Sequence, residues 1–419
     1  MRRTSYRSIQ FLALIACISV QICLILWQYN VCSIEPKTPG NPQEPTKPTQ
    51  HDDARWSQDN DHPSMNENLN NRRKNEIIHS LMSPLPLSAS HVRVFPRHNK
   101  SFPCYKAEDD WDTLARQQSP AANGFLYVKA RKAGSSSVAS VAIRIARNMA
   151  RRVGVDTPVC RVRFNHPMAS RLKYSIRDKA NSFLWSVLRE PTRRFVSEFF
   201  HFGVSRNFIQ PTDDNIRAYM RDTTPSINNY YLRWLSVERP FNYHDDHSRI
   251  PAVVQSIINE YDFLGITERL DESLIALQMI LNLEISDILY LSAKLNGGWD
   301  DGVYRNKCYY IIPSFLSYSI KKYFRESEEW YNFTVGDTML YRAVNASLDA
   351  TIANLGRAAF DKNLRIYRWA LDKVEKTCRG NTTLPCSASG QRNLVNDCLV
   401  WDSGCGMECI DSVVKDMEL

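Results

Sequence analysis

The chain opens on an apolar run. From Ile9 to Trp27 the only strongly polar residue is Gln21, no charge interrupts, and Arg2, Arg3 and Arg7 lie just upstream. At about 1.5 Å per residue, residues 9–27 just cross a hydrocarbon core of roughly 30 Å, so the pattern predicts a transmembrane signal anchor over that span. The upstream arginines keep residues 1–8 cytosolic and send everything beyond Tyr29 to the lumen. A cleaved signal peptide is the competing reading, with small residues near Val31-Cys32-Ser33. Against it, the run is longer than a usual signal-peptide core and ends in the interfacial pair Trp27 and Tyr29.

The pattern then turns polar. Pro36, Pro39, Pro42, Pro45 and Pro48 recur at the period of a polyproline II helix, which predicts an extended spacer. Residues 51–76 are rich in Asp, Asn and Arg and poor in apolar side chains, so they are expected to be disordered. Together residues 28–100 read as a stem.

Regular apolar periodicity begins beyond Ser101. Phe125 to Val128 is a short buried-strand run, followed by the loop Lys129-Ala-Arg-Lys-Ala-Gly-Ser-Ser-Ser137. Val138, Val141, Ala142, Ile145 and Met149 then mark one helical face, with Arg144, Arg147 and Arg151 on another. A second unit has a strand Phe183–Leu188, then Arg189-Glu-Pro191, then a helix carrying Phe195, Val196, Phe199 and Phe200. A third has a strand Tyr261–Ile266, Thr267-Glu-Arg, and a helix with Leu274, Leu277 and Leu281. Apolar strands alternating with helices predict an α/β domain with a parallel sheet covered on both faces, here over residues 101–376. Two further helices are expected between Gly336 and Lys376.

Composition changes little in this picture. The 419 residues carry a formal net charge of +8, too diffuse to argue for nucleic acid and suited to an acidic small-molecule or polyanionic substrate. Cysteine usage adds more. Of the 11 cysteines, Cys17 and Cys23 sit in the apolar run and Cys32 just beyond it; the other eight (Cys104, Cys160, Cys308, Cys378, Cys386, Cys398, Cys405, Cys409) are an even number that reads as disulfides in an oxidising space. Residues 377–419 form a cysteine-rich tail. A zinc reading of it is disfavoured, because no CxxC pair occurs and no histidine lies near. The sequons at Asn99, Asn332, Asn345 and Asn381 all fall on the luminal side of the anchor.

The candidate chemistry starts at Lys132-Ala-Gly-Ser-Ser-Ser137. A small-residue loop between a strand and a helix aims successive backbone N–H groups at one point, and the helix N-terminus adds positive potential. That makes an anion cradle. It is not a Walker A loop, since Lys132 precedes Gly134 instead of following a second glycine. In the second unit, Arg189 ends a strand and Ser197 lies eight residues on, inside the next helix. If strand and helix pack as a βα unit, both can reach one phosphate.

These two motifs, Lys-x-Gly-Ser-Ser-Ser and Arg-Glu-Pro-x-x-Arg-Phe-x-Ser-Glu, resemble the donor-binding motifs of the Golgi carbohydrate sulfotransferases. Those enzymes use 3′-phosphoadenosine-5′-phosphosulfate (PAPS) and have a P-loop nucleotide-kinase-like fold. The nearest likeness is to the galactose 3-O-, heparan sulfate 2-O- and heparan sulfate 6-O-sulfotransferases, and covers Phe125 to Leu281. Gly265-Ile-Thr-Glu-Arg-Leu-Asp-Glu-Ser-Leu274 is similar to a stretch those enzymes carry after their third strand.

The resemblance implies a type II Golgi membrane enzyme that moves the sulfuryl group of PAPS to a hydroxyl of a glycan and releases 3′,5′-ADP. It assigns the 5′-phosphosulfate to Lys132, Ala133, Gly134, Ser135, Ser136 and Ser137, with Lys132 on the bridging oxygen. It assigns the 3′-phosphate to Arg189 and Ser197. No metal is expected, because a sulfuryl group bears less charge than a phosphoryl group. For the base that takes the acceptor proton, His166 in Arg163-Phe-Asn-His-Pro167 is preferred over His201, Glu198, His244 and His247. Glu268 could position substrate or base. Ala133 departs from the threonine that the family often has there, which removes a hydroxyl and leaves the backbone cradle. Acceptor specificity is expected from Arg206 to Arg249 and Leu291 to Tyr310, where Tyr230, Tyr231, Trp234, Tyr243 and Trp299 could stack on sugars and Arg233 or Arg239 could pair with acidic groups. The competing readings are an inactive sulfotransferase fold that binds glycans, and a luminal nucleotide kinase or NTPase.

Overall fold

The computed structural model describes residues 84–98, 124–152, 154, 177–223, 228–236, 247–294, 297–299 and 307–419. The predicted anchor, most of the stem, His166, His244, Tyr243, Arg239, Cys104, Cys160 and the Asn99 sequon lie outside them. Among the described residues, no helix is long and apolar enough to cross a membrane.

Three strands form one parallel sheet in the order β1-β2-β3: β1 is Gly124–Val128, β2 Ser182–Leu188 and β3 Phe263–Ile266. Phe125 lies opposite Phe183, and Trp185 opposite both Tyr127 and Phe263. Every residue of the three strands is buried. This follows from the sequence, since runs such as Phe-Leu-Trp-Ser-Val-Leu have no polar face to present to water. The exceptions bond inward: Ser186 Oγ donates to the Val128 carbonyl at 2.8 Å. Aromatic rings knit β1 to β2, with Phe125 and Phe183 stacked at 5.8 Å and Trp185 at 4.6 Å from Tyr127.

Each strand leads into a helix, as the periodicity predicts. Helix α1 (Ser135–Arg152) follows β1, α2 (Pro191–Glu198) follows β2, and α6 (Leu270–Leu281) follows β3. Between α2 and β3 come α3 (Asp213–Asp222), α4 (Tyr230–Leu235) and α5 (Ile250–Glu260). Helix α2 starts with Pro191 at its first turn and is capped by the Glu190 carboxylate, which accepts from the Thr192 and Arg193 amides. It runs on into a π-helical stretch, Phe199–Arg206.

After β3 the chain is helical. α7 (Tyr318–Glu326), α8 (Glu328–Leu355) and α9 (Arg357–Cys378) precede the tail, and α8 packs on β3, α5 and α6. The two predicted helices are therefore longer than expected, and meet at Gly356, whose φ of 95° ends one and starts the next. Residues 84–98, which composition grouped with the stem, lie against this core. Phe95 is fully buried and Arg93 Nη1 donates to the carbonyls of Ile258, Asn259 and Tyr261.

The tail folds onto α1. It consists of a hairpin, β4 (Cys398–Val400) and β5 (Ser403–Cys405), followed by α10 (Met407–Asp416). Disulfides join Cys398 to Cys405, Cys378 to Cys409, and Cys386 to Cys308. All five tail cysteines thus pair within the chain. The basic face of α1 has its counterpart here, since Arg144, Arg147 and Arg151 all reach the Asp411 carboxylate at 2.8–2.9 Å. Arg144 is buried, which lowers its pKa against the pull of Asp411, and its Nε also donates to the Ser286 carbonyl.

Candidate donor site at the strand ends

The loop after β1 carries two residues in the left-handed region, Lys132 with φ 60° and Gly134 with φ 68°. A glycine meets that demand freely, whereas a lysine there is uncommon and needs its surroundings to hold it. One such hold comes from Arg189, whose Nη1 donates to the Lys132 carbonyl at 3.3 Å. Ala133 is fully buried beneath the loop. Ser135, Ser136 and Ser137 form the first turn of α1, where helical amides have no partner of their own, and that turn contains no acidic residue. The structure thus brings a left-handed loop and a serine-bearing helix start together after β1.

Arg189 sits at the end of β2 and is held on both sides. The Tyr231 hydroxyl accepts from the Arg189 amide at 2.8 Å and donates to its carbonyl at 2.9 Å. Tyr230 does the same for the first loop, accepting from the Arg131 amide at 2.8 Å. Both tyrosines are buried, so the sugar-stacking role offered by sequence is replaced by a scaffolding one. They stand at the start of α4, where Asp337 of α8 accepts from the amides of Tyr231 and Leu232 at 2.8 and 3.3 Å. Burial pushes the Asp337 carboxyl up to about 7, against the Arg194 charge and those amide donors, which pull it down. Arg194 itself lies 4.0 Å from the Tyr230 ring and is paired with buried Glu198. Glu198 is thereby tied up in structure.

Glu268, just past β3, accepts from the Glu190 amide at 3.2 Å and lies 3.9 Å from Arg189 Nε. Burial lowers the Arg189 pKa, and Glu268 opposes it. Beside it, Thr267 Oγ1 is a buried polar atom without a hydrogen bond among the described residues. A Cβ placed on Gly134 would stand 3.9 Å from that oxygen, so an unsatisfied hydroxyl borders the cradle. A polar ligand there would satisfy it. A cavity of about 390 Å³ opens at Arg189, lined also by Arg193, Val196, Phe315 and Lys321. Ser197 is half-buried in the last turn of α2 and is not among its lining residues. His201 is buried in the π-helical stretch with its ring against Phe202. His247 is exposed in a short 3₁₀ turn before α5.

One group at the cradle was not singled out from sequence. Asp402, between β4 and β5, accepts a hydrogen bond from Ser136 Oγ and pairs with Lys294 Nζ at 2.6 Å. Burial would raise its pKa, yet the charges of Lys294 and Lys129 and the bonds from Lys294 and Ser136 hold it down at about 2. The tail thus supplies the acidic group that the first turn of α1 lacks. Two lysines, Lys129 and Lys294, act on this one carboxylate. Only the disulfide-closed hairpin hinted at this, because nothing in Trp401-Asp402-Ser403 marks the aspartate as special.

The fold is a parallel α/β sheet with a serine-bearing helix start after β1 and a half-buried arginine at the end of β2. Comparison with known proteins narrows this class. The galactose-3-O-sulfotransferase family model matches residues 176–393, just over half the chain. The chain is 21% identical over 294 residues to galactose-3-O-sulfotransferase 3 of Homo sapiens, covering 62% of this chain and 64% of that protein. It is 26% identical over 211 residues to galactosylceramide sulfotransferase of Homo sapiens, covering 47% and 45%, and 29% identical over 206 residues to that of Mus musculus, covering 46% and 44%. The matches span less than two thirds of the length of these relatives. The chain belongs to the galactose-3-O-sulfotransferase family. Arg189 and Ser197 fall inside the matched stretch, and the Lys132–Ser137 loop precedes it.

Proposed function

We propose that the chain is a Golgi-luminal, membrane-anchored sulfotransferase that moves the sulfuryl group of PAPS to a hydroxyl of a glycan. The observation that carries this reading is the junction of the two motifs, in which the Arg189 guanidinium bonds the Lys132 carbonyl at 3.3 Å. It sets a cation for one anionic end of the donor beside the cradle for the other. The 5′-phosphosulfate would lie on the amides and hydroxyls of Lys132–Ser137, with Thr267 Oγ1 within reach. The 3′-phosphate would lie by Arg189, with Arg193 and Lys321 in the same cavity. Ser197, which the family resemblance assigns to that phosphate, would need its hydroxyl to turn towards Arg189.

In the reaction the acceptor oxygen attacks sulfur in line, the bond from sulfur to the bridging oxygen breaks, and 3′,5′-ADP leaves. Charge accumulates on that bridging oxygen only as the bond breaks, so the Lys132 ammonium stabilises the transition state more than the bound substrate. The acceptor proton passes to a base, for which His166 is the candidate.

The test is transfer of labelled sulfate from PAPS by the full-length protein, with a panel of galactosides and desulfated polysaccharides, alongside Lys132→Ala. Transfer by wild type, reduced about 10²-fold or more in the variant, is expected. Equal transfer by both would remove Lys132 from the chemistry. A wild type that binds no 3′,5′-ADP would overturn the donor assignment altogether.

A further inference from the structure

A second cavity, of about 520 Å³, is lined by Arg379 and by Ala293, the neighbour of Ser292 in the chain. Its place is set by Ser292. The Ser292 hydroxyl lies 3.2 Å from Ser137 Oγ, and its carbonyl accepts from Arg379 Nη1 at 2.7 Å. One residue therefore separates the guanidinium that lines this cavity from the last serine of the cradle.

The cavity has an aromatic side. The Trp299 indole donates from Nε1 to the Ala388 carbonyl at 3.1 Å and meets the Tyr310 ring edge-on at 5.5 Å. Its six-membered ring lies so close to Gly390 that a Cβ there would come within 2.5 Å of it. Backbone bonds pair Gly297 and Gly298 with Ile311 at 3.0 and 2.8 Å, and Cys308–Cys386 ties that segment to the tail. The indole is thus fixed by several contacts within the chain.

The cavity also has a polar side, at the end of α9. Arg379 uses Nε on Glu375 at 2.6 Å and Nη1 on Ser292. Its Nη2 is buried and makes no hydrogen bond among the described residues, and the same holds for Thr382 Oγ1. Both residues line the cavity. A guanidinium held by two of its nitrogens, with the third unsatisfied beside a hydroxyl, is preorganised for an anionic oxygen. A flat indole beside it suits the apolar face of a sugar ring, and a few placed polar groups in an aromatic cavity are the usual form of a small-ligand site.

We infer that this cavity is the acceptor subsite, and that it takes an acidic sugar, with the ring against Trp299 and a carboxylate or sulfate on Arg379 and Thr382. The inference rests on the sulfotransferase reading for the word acceptor, though not for the binding itself. In that reading the 3′-phosphate lies by Arg189 and the phosphosulfate along Lys132–Ser137, and Ser292 joins the Ser137 end of that loop to this cavity.

The test uses the full-length protein and three probes: N-acetyllactosamine, its 6-O-sulfated form, and a glucuronate-terminated disaccharide. Binding of each, and of 3′,5′-ADP, is measured for wild type, Arg379→Gln, Thr382→Val and Trp299→Ala. Wild type is expected to bind one or both acidic probes at least about ten-fold better than the neutral one, and whichever is preferred names the acid. Arg379→Gln and Thr382→Val should lose that preference while neutral-probe and 3′,5′-ADP binding stay within about two-fold. Trp299→Ala should weaken all three sugars and spare 3′,5′-ADP. Unchanged sugar binding in all three variants would overturn the proposal. So would loss of 3′,5′-ADP binding in a folded Trp299→Ala protein, which would make the cavity a nucleotide site. Acidic-sugar binding without any 3′,5′-ADP binding would keep the subsite and sink the sulfotransferase reading instead.

Discussion

Ser136 and Asp402, 266 residues apart, share a hydrogen bond at the first turn of α1. The serine belongs to the proposed anion cradle and the aspartate to the tip of the disulfide-closed tail hairpin. The carboxylate is almost fully buried, and the cations around it keep it ionised. A pKa held at about 2, against 3.8 for a free side chain, corresponds to about 2 kcal/mol of folding stability. Because the folded pKa is the lower one, that contribution is complete above about pH 4 and is lost as pH falls towards 2. Asp402→Asn is expected to lower unfolding stability by about 2 kcal/mol at pH 7, with a gap that narrows below pH 4. Denaturant unfolding at pH 7, 4 and 3 checks this. A gap of constant size would mean that the ionised form of Asp402 contributes nothing.

Tyr231 gives a second test, because its one hydroxyl serves both the amide and the carbonyl of Arg189. Tyr231→Phe keeps the ring in the core and leaves two backbone groups without their partner, at a cost of about 1–3 kcal/mol. Arg189 should then be less well placed, and affinity for 3′,5′-ADP should fall by about ten-fold. Calorimetric titration reads the affinity and a thermal melt reads the fold. Wild-type affinity in the variant would show that the Arg189 backbone needs no such tether.

Asp337 predicts a pH dependence of opposite sign. Burial raises its pKa to about 7, so the folded state holds a proton that the unfolded chain releases near pH 4. Its contribution to stability is present below about pH 4 and is lost as pH rises through about 7. Asp337→Asn keeps an oxygen for the Tyr231 amide and cannot titrate. Wild type should therefore lose stability between pH 5 and 8 relative to this variant. Parallel stability curves would mean that Arg194 and the α4 amides hold the carboxylate ionised throughout.

His166→Ala is expected to leave 3′,5′-ADP binding unchanged and to lower turnover by about 10²–10⁴-fold, the usual effect of removing a general base. Single-turnover sulfate transfer with saturating PAPS measures it. Near-normal turnover would move the role to another residue, such as Glu268 beside Arg189.

Much of the fold was legible in the chain itself, as was the placing of both motifs at strand ends. Continuous apolar runs at Phe125, Phe183 and Phe263 announced strands buried on both faces, and each was followed at once by its loop and helix. Lys132, Gly134 and Arg189 could be read because their chemistry is local: a strand end, a small-residue turn and a helix start within a few residues. The three arginines on one face of α1 were visible as a stripe, though not their common partner Asp411. Periodicity reports which side of an element is covered, and does not say by what.

The remaining features are contacts between distant segments, and the packing of the sheet and helices decided them. Sequence determined that a small-residue loop at Lys132–Ser137 would lead from a strand into a helix and that the tail cysteines would oxidise. Only the fold determined that Cys386 reaches back to Cys308, that Asp402 meets Ser136, and that Tyr231 clasps Arg189 instead of facing a sugar. The physical reason is that a backbone turn is set by its own few residues, whereas a buried carboxylate or hydroxyl is set by whichever charges and amides surround it after collapse.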